Sequence, residues 1–240
     1  MRLLVALVAS VAARGLELGR RPVVFVTPEG WCAAEDTARL VGVCESAAAG
    51  GADVVQLRDP SASREALVRA GRAVVRALAA SACVVVVNGD CGVAVDAAAD
   101  GAHLPERVLA GDPRAAAAAR RRLRVVGCSA HSVEAALRGA TLGADYVQLG
   151  TMFETATHPG KVPEGPALAA AVARAFDGLP PEGHRPRLVG VGGVDATNAG
   201  ALAAAGCDGV AVIRSVARAR DPAAAVRAVR RALGEGARGS

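Results

Sequence analysis

The stretch VVVVNGDCGVAVDAAADGAHLP, residues 84–105, contains one complete strand–helix–strand unit of the predicted fold. It begins with an uninterrupted apolar run at residues 84–87, passes through the polar tip Asn88-Gly89-Asp90 into a short helical pattern, and ends in a second apolar run at residues 101–105. Uninterrupted apolar runs are typical of strands covered on both faces, as in a parallel sheet. The stretch therefore predicts two parallel strands joined by a helix.

The same alternation of apolar runs and Ala-rich helical patterns continues on both sides of this stretch. Eight repeats in a chain of 240 residues favour a single-domain TIM (β/α)8 barrel over an open doubly wound sheet, which more often carries a Gly-rich fingerprint after its first strand. The predicted strands lie at residues 23–28, 53–59, 83–89, 101–105, 124–129, 145–150, 187–193 and 208–215. The predicted helices lie at residues 34–50, 61–80, 90–98, 113–121, 132–142, 166–177, 196–205 and 221–233.

The barrel is expected to occupy residues 22–235, between an N-terminal extension at 1–21 and a short tail at 236–240. The extension carries Arg2 and an apolar run at residues 3–8, a pattern shared by targeting segments and by a helix closing a barrel floor. We expect a cytoplasmic protein, or an organellar one if the extension is a presequence. No apolar run approaches the roughly 20 residues that cross a membrane, so no membrane association is predicted.

Four similar segments mark one end of the barrel. GGADVV, AADGAHL, LGADYV and AGCDGV each combine a helix end, a Gly at or near the left-handed cap, and a short turn into a strand. We expect these turns to form the barrel floor, opposite the end where TIM barrels carry their active sites.

The charge composition suits a small anionic ligand. The chain has 28 basic and 23 acidic residues, a net charge of +5, and Lys161 is its only lysine. The Arg-dense segments fall in predicted helices without the aromatic residues that stack on bases, so nucleic acid is not an expected partner.

Candidate site residues are the polar ones that follow each predicted strand, because these ends converge at one face of a TIM barrel. His131 directly follows strand five, and its imidazole is suited to exchanging protons near neutral pH. The remaining candidates for binding a substrate are Gln56, Arg58, Asn88, Ser129, Thr155, Thr157 and His158.

A phosphate site is predicted after strands seven and eight. Gly192 and Gly193 allow backbone amides to approach a phosphate, and the next strand end adds Ile213 and Arg214. A tight turn without ligand is the alternative for the paired glycines.

Five motifs together resemble the thiamine phosphate synthase and TenI superfamily of small TIM barrels, over residues 23–233. They are VVQLRD, VVNGD, ADGAHLPE, GCSAHSVEAALRGATLGADYVQLGTMFETATHPG and VGVGGVDATNAGALAAAGCDGVAVIRSV, in that order. The resemblance implies a homo-oligomeric enzyme of thiamine biosynthesis that acts on a phosphorylated thiazole.

The sequence departs from the synthase pattern where those enzymes bind magnesium and pyrophosphate. Gly89 stands in place of the first aspartate, the second loop reads Pro105-Glu106-Arg107-Val108, and Pro60 and His158 occupy two lysine positions. Displacement of pyrophosphate depends on metal ions and cationic side chains that neutralise the charge of the leaving group. Asp90 and Glu106 are acids close to the lost ligands and are the candidates for a rebuilt metal site.

The motifs are more similar to the TenI branch, which implies a thiazole tautomerase without metal or cofactor. By this resemblance His131 is the acid and base, Arg58 binds the substrate carboxylate, and Gly192, Gly193, Ile213 and Arg214 hold the phosphate. The alternative is a thiamine phosphate synthase with rebuilt Mg²⁺ ligands. A third hypothesis is a non-catalytic binder of a phosphorylated ligand.

Overall fold

The structure is a computed structural model that describes residues 21–112, 114–155, 160, 162–180 and 184–234. Eight parallel strands form a closed barrel in chain order, and β8 pairs with β1 to close it. The single-domain TIM barrel predicted from the sequence is therefore confirmed. The strands are β1 Val23–Val26, β2 Val54–Leu57, β3 Val84–Asn88, β4 Gly101–Leu104, β5 Val125–Ala130, β6 Tyr146–Leu149, β7 Arg187–Val191 and β8 Gly209–Val212.

Ten helices surround the barrel in the described part of the chain. Three of the longer ones begin at a side-chain cap: the Ser63 hydroxyl accepts from the Ala66 N–H, the Ser132 hydroxyl from the Ala135 N–H, and the Asp221 carboxylate from the Ala224 N–H. The helices are α1 Ala38–Ala49, α2 Arg64–Ala77, α3 Cys91–Asp96, α4 Glu106–Gly111, α5 Ala115–Arg120, α6 Val133–Thr141, α7 Gly165–Asp177, α8 Ala199–Ala204, α9 Arg214–Ala217 and α10 Pro222–Ala232. None of them is long and apolar enough to cross a membrane.

Two of these helices, α4 and α9, were not predicted. They have six and four residues, too few to show a helical period in the sequence. Both directly follow strands at the carboxyl end of the barrel, so they contribute to the site described below.

The core has two parts. An outer layer packs the strands against the helices, and an inner layer fills the barrel with Val side chains, Ala211 and the single tyrosine, Tyr146. A Cβ atom at Gly127 would collide with the Tyr146 ring, so the glycine makes room for this side chain inside the barrel.

Four turns at the barrel floor share one hydrogen-bond pattern. We call residues 51–53, 98–100, 143–145 and 206–208 the floor turns. Each ends in an aspartate that forms two hydrogen bonds with one residue of the preceding strand. The aspartate N–H donates to the carbonyl of that residue, and the aspartate carboxylate accepts from its N–H. The carboxylate also pairs with an arginine. The aspartates and strand residues are Asp53 with Val23, Asp100 with Val85, Asp145 with Val126 and Asp208 with Leu188. The arginines are Arg230, Arg124, Arg120 and Arg185, in the same order.

The first residue of every floor turn has a positive φ, between 57° and 95°. Gly51, Gly143 and Gly206 adopt this conformation without steric cost, whereas the fourth turn uses Ala98. The repeated segments of the sequence therefore form the barrel floor, as predicted.

Candidate active site

A cavity of about 1130 Å³ opens at the carboxyl ends of the strands. The predicted site residues within the described part of the chain all line it, because each follows or ends a barrel strand: Gln56, Arg58, Asn88, Ser129, His131, Thr155, Gly192, Gly193, Ile213 and Arg214. Thr157 and His158 lie outside the described residues. Further charged or amide side chains in the lining are Asp59, Glu106, Arg107, Gln148, Glu154, Asp195 and Arg218.

The bottom of the cavity is a pair of buried amides. Gln148 on β6 donates from its Nε2 to the Oε1 of Gln56 on β2, across the barrel, at 2.6 Å. The two glutamines occupy the same position in their strands, because β2 reads VVQL and β6 reads YVQL. The bond leaves the Gln56 amino group and the Gln148 carbonyl available to a ligand.

His131 forms a short contact with Glu106 at the mouth of the cavity. The distance from its Nδ1 to the Glu106 Oε2 is 2.6 Å, and half of the His131 side chain is exposed. Glu106 begins α4, where a carboxylate is favoured by the helix dipole. When the carboxylate accepts from Nδ1–H, the other ring nitrogen, Nε2, is left to exchange a proton with a ligand.

His103, on β4, is completely buried between two hydroxyl groups. Its Nε2 lies 2.8 Å from the Ser129 Oγ at the cavity wall, and its Nδ1 lies 3.2 Å from the Tyr146 hydroxyl inside the barrel. Burial, together with the positive charge of Arg58, lowers the pKa of His103 to about 3. The imidazole is therefore neutral at physiological pH, and it serves as a hydrogen-bonding group rather than a charge.

The predicted phosphate end of the cavity is closely built around two glycines. Gly192 and Gly193 have φ values of 99° and 66°. A Cβ at Gly192 would lie 2.6 Å from the Thr151 Cγ2, and one at Gly193 would collide with the Glu154 carbonyl oxygen. Only glycine therefore allows the backbone to pass here.

Across from the glycines, Arg214 donates from a terminal guanidinium nitrogen to the Thr155 Oγ1 at 3.3 Å. This contact brings the loop after β6 to the start of α9, so two predicted site residues from different loops meet. With Arg58, Arg107 and Arg218, four guanidinium-bearing residues line the cavity, which suits a ligand with more than one anionic group.

Asp59, next to Arg58, is committed to holding the loop after β1. Its carboxylate accepts from the N–H groups of Cys32 and Ala33 and from the N–H and hydroxyl of Ser61. Burial raises the pKa of Asp59, but hydrogen bonds from the Gly30 backbone, Ser61 and Ala33 outweigh burial and hold the pKa below its usual range. The charge therefore stabilises a wall of the cavity.

Two acids stand close to the metal-ligand positions of the synthase pattern, and both have other partners in the structure. Asp90 caps α3 through the Gly92 N–H and pairs with Arg64 at 2.7 Å, outside the cavity lining. Glu106 is engaged by His131. No group of three or more His, Cys, Asp or Glu side chains within the described ranges is arranged to hold a metal ion.

Similarity to known proteins covers most of the chain. A family model described as thiamine monophosphate synthase matches residues 23–216. The thiamine-phosphate synthase of Bordetella avium is 39% identical over 85% of this chain and 90% of its own length, and that of Methanoculleus marisnigri is 38% identical over 81% and 85%. That of Roseiflexus castenholzii is 34% identical over 87% of both chains.

The fold of the solved thiamine phosphate pyrophosphorylase from Pyrococcus furiosus is similar, with a TM-score of 0.68 at 23% identity over 90% of this chain and 96% of that one. The names of the relatives favour the transferase alternative over the isomerase expected from the motifs. On the family match and these identities, the chain belongs to the thiamine monophosphate synthase family, a family of enzymes of thiamine biosynthesis.

Proposed function

We propose that the cavity binds a phosphorylated carboxythiazole and that the chain is a thiazole tautomerase. The observation that carries this proposal is the contact between His131 and Glu106 at the cavity mouth, 2.6 Å from Nδ1 to Oε2. A histidine held by a carboxylate is suited to taking up a proton and giving it back, because the carboxylate orients the ring and stabilises the imidazolium.

In the proposed reaction, the His131 Nε2 removes the proton from the ring carbon that bears the carboxylate. The electron pair moves through the ring, and the same nitrogen returns the proton to the exocyclic carbon, which makes the thiazole aromatic. No atoms are gained or lost, and no co-reactant is needed. Arg58 would bind the carboxylate, and Gly192, Gly193 and Arg214 would bind the phosphate.

The second candidate is the transferase, which the names of the 34–39% identical relatives favour. Displacement of pyrophosphate needs a divalent cation or an equivalent set of positive charges at the leaving group. The donor set near β3 and β4 argues against the cation, since Asp90 and Glu106 are engaged elsewhere. We therefore place the isomerase first for this chain.

The test is to mix the purified protein with the carboxythiazole phosphate tautomer in a chelating buffer and to follow the thiazole absorbance against a protein-free control. We expect acceleration that falls about 10²- to 10⁴-fold in His131→Gln, the usual contribution of a general acid and base. His184→Gln is the matched control, because His184 bonds the Ala144 carbonyl, away from the cavity lining.

The transferase is tested in parallel with the pyrimidine pyrophosphate and the thiazole phosphate, with and without Mg²⁺. Mg²⁺-dependent formation of thiamine phosphate without tautomer acceleration would overturn the isomerase proposal. Tight binding of the thiazole phosphate without either reaction would leave the non-catalytic binder as the function.

A further inference from the structure

Three side chains form a continuous hydrogen-bonded line from the barrel core to the cavity. The Tyr146 hydroxyl lies 3.2 Å from the His103 Nδ1, and the His103 Nε2 lies 2.8 Å from the Ser129 Oγ. Tyr146 and His103 are both completely buried, whereas Ser129 lines the cavity. The direction in which each hydrogen bond is donated decides what Ser129 offers to a ligand.

The Tyr146 hydroxyl must donate its proton to His103. Its ring lies against Gly127, which has no side chain, and His103 is its hydrogen-bond partner among the described residues. A buried O–H group without an acceptor loses its hydrogen bond to water and gains nothing in return, so the arrangement in which it donates to Nδ1 is favoured. Nδ1 is then the unprotonated nitrogen of the ring.

His103 must in turn donate to Ser129. A neutral imidazole carries a single N–H, and with Nδ1 accepting, that proton is on Nε2. Both the burial of the ring and the nearby charge of Arg58 disfavour the doubly protonated form. The 2.8 Å bond therefore runs from Nε2–H to the Ser129 Oγ, which uses one acceptor position of the hydroxyl and leaves its proton free.

We propose that Tyr146 and His103 are positioning residues that fix the Ser129 hydroxyl as a hydrogen-bond donor into the cavity. Ser129 would bind an acceptor without a proton of its own, such as a carboxylate or phosphate oxygen, and would discriminate against a group that can only donate. For its ligand the inference rests on the proposed function, but the direction of the hydrogen bonds follows from the protein alone.

The direction is tested without any ligand. In protein with isotope-labelled histidine, nitrogen chemical shifts distinguish the two neutral tautomers and the imidazolium. We expect His103 to be neutral and protonated at Nε2 from about pH 5 to 8. An Nδ1–H tautomer, or an imidazolium in this range, would overturn the inference, whatever the activity of the enzyme.

The effect on binding is tested with the aromatic carboxythiazole phosphate as the probe, in a double-mutant cycle. Ser129→Ala should weaken its Kd about tenfold, the usual effect of losing a hydrogen bond to a charged acceptor. Tyr146→Phe keeps the ring on Gly127 but removes the hydroxyl, and it should weaken the Kd a few-fold through Ser129 only.

In the Ser129→Ala background, Tyr146→Phe should therefore have no further effect on the Kd. Additive effects would show that Tyr146 acts only through general packing and would refute the relay. His103→Gln provides a rescue, since its amide accepts from Tyr146 and donates to Ser129 in the same direction, whereas His103→Leu does neither. Failure of the probe to bind wild-type protein would count against the proposed function. The tautomer of His103, measured without ligand, would still test the direction of the hydrogen bonds.

Discussion

Replacing Ala98 with glycine should stabilise the barrel. Ala98 has a φ of 57°, and among the described residues it is the one non-glycine residue with a positive φ. Left-handed backbone costs a residue with a Cβ about 1–2 kcal/mol. Glycine removes this cost, but its greater freedom in the unfolded chain lowers the free energy of unfolding by about 0.4–1 kcal/mol. The exposed methyl group of Ala98 adds little, so we expect a net gain of about 0.5–1 kcal/mol.

The matched substitution is Gly143→Ala in the equivalent position of another floor turn. Gly143 has a φ of 76°, and a Cβ there would have no heavy atom within 4 Å, so only the backbone conformation is tested. We expect a loss of about the same size, 0.5–1 kcal/mol. Gly51 and Gly206 are poorer controls, because an added Cβ would contact Arg230 and Ala173.

Both variants are measured by urea denaturation and by thermal unfolding. For a chain of this size, about 1 kcal/mol corresponds to a shift of about 2–4 °C in Tm. Opposite shifts of Ala98→Gly and Gly143→Ala would support the account of the floor turns. If Ala98→Gly is destabilising, or if the two shifts have the same sign, the argument from backbone conformation is refuted.

Two further predictions concern the cavity. The pKa of histidine is near 6.5 in the unfolded chain, whereas burial lowers that of His103 to about 3. Acidification from pH 7 to 5 therefore protonates His103 in the unfolded chain only, which should lower the free energy of unfolding by about 2 kcal/mol. The free energy of unfolding of His103→Gln, measured by denaturation, should fall by about 2 kcal/mol less over the same pH range. Gly193→Ala should weaken the binding of inorganic phosphate about tenfold in calorimetry, whereas Gly30→Ala, which also has a positive φ but no nearby atoms at its Cβ, should leave it unchanged. Equal phosphate affinity in both glycine variants would show that the turn at Gly193 is not the phosphate site.

The order of the barrel strands was predictable because each strand is built on a short apolar run, even where it contains a polar residue, as β2 contains Gln56. Val84–Asn88, for instance, is covered on both faces, and its sequence contains no polar residue before the tip. The helices α4 and α9 were missed because helices of six and four residues have no recognisable period. The boundaries of long helices were also placed too far outward, as for α1, which begins at Ala38 instead of residue 34.

The members of the site were easier to predict than their partners. Position at or just after the end of a strand was enough to select Gln56 and His131, since all eight strand ends converge. Their contacts with Glu106 and Gln148 depend on side-chain directions across 25 and 92 residues of sequence. The role of Asp90 as a helix cap has a local signal in the sequence, since an aspartate directly before a short helical pattern is a typical N-cap.

The floor turns have a consequence for how this family can diverge. Four aspartates tie alternate pairs of neighbouring strands together at the end of the barrel farthest from the cavity, so these ties do not involve residues at the mouth. Positions at the mouth such as Gly89 and Glu106 can then exchange one chemical group for another without removing these ties. A family member with an altered mouth keeps these ties, and selection can act on whatever reaction the altered mouth supports.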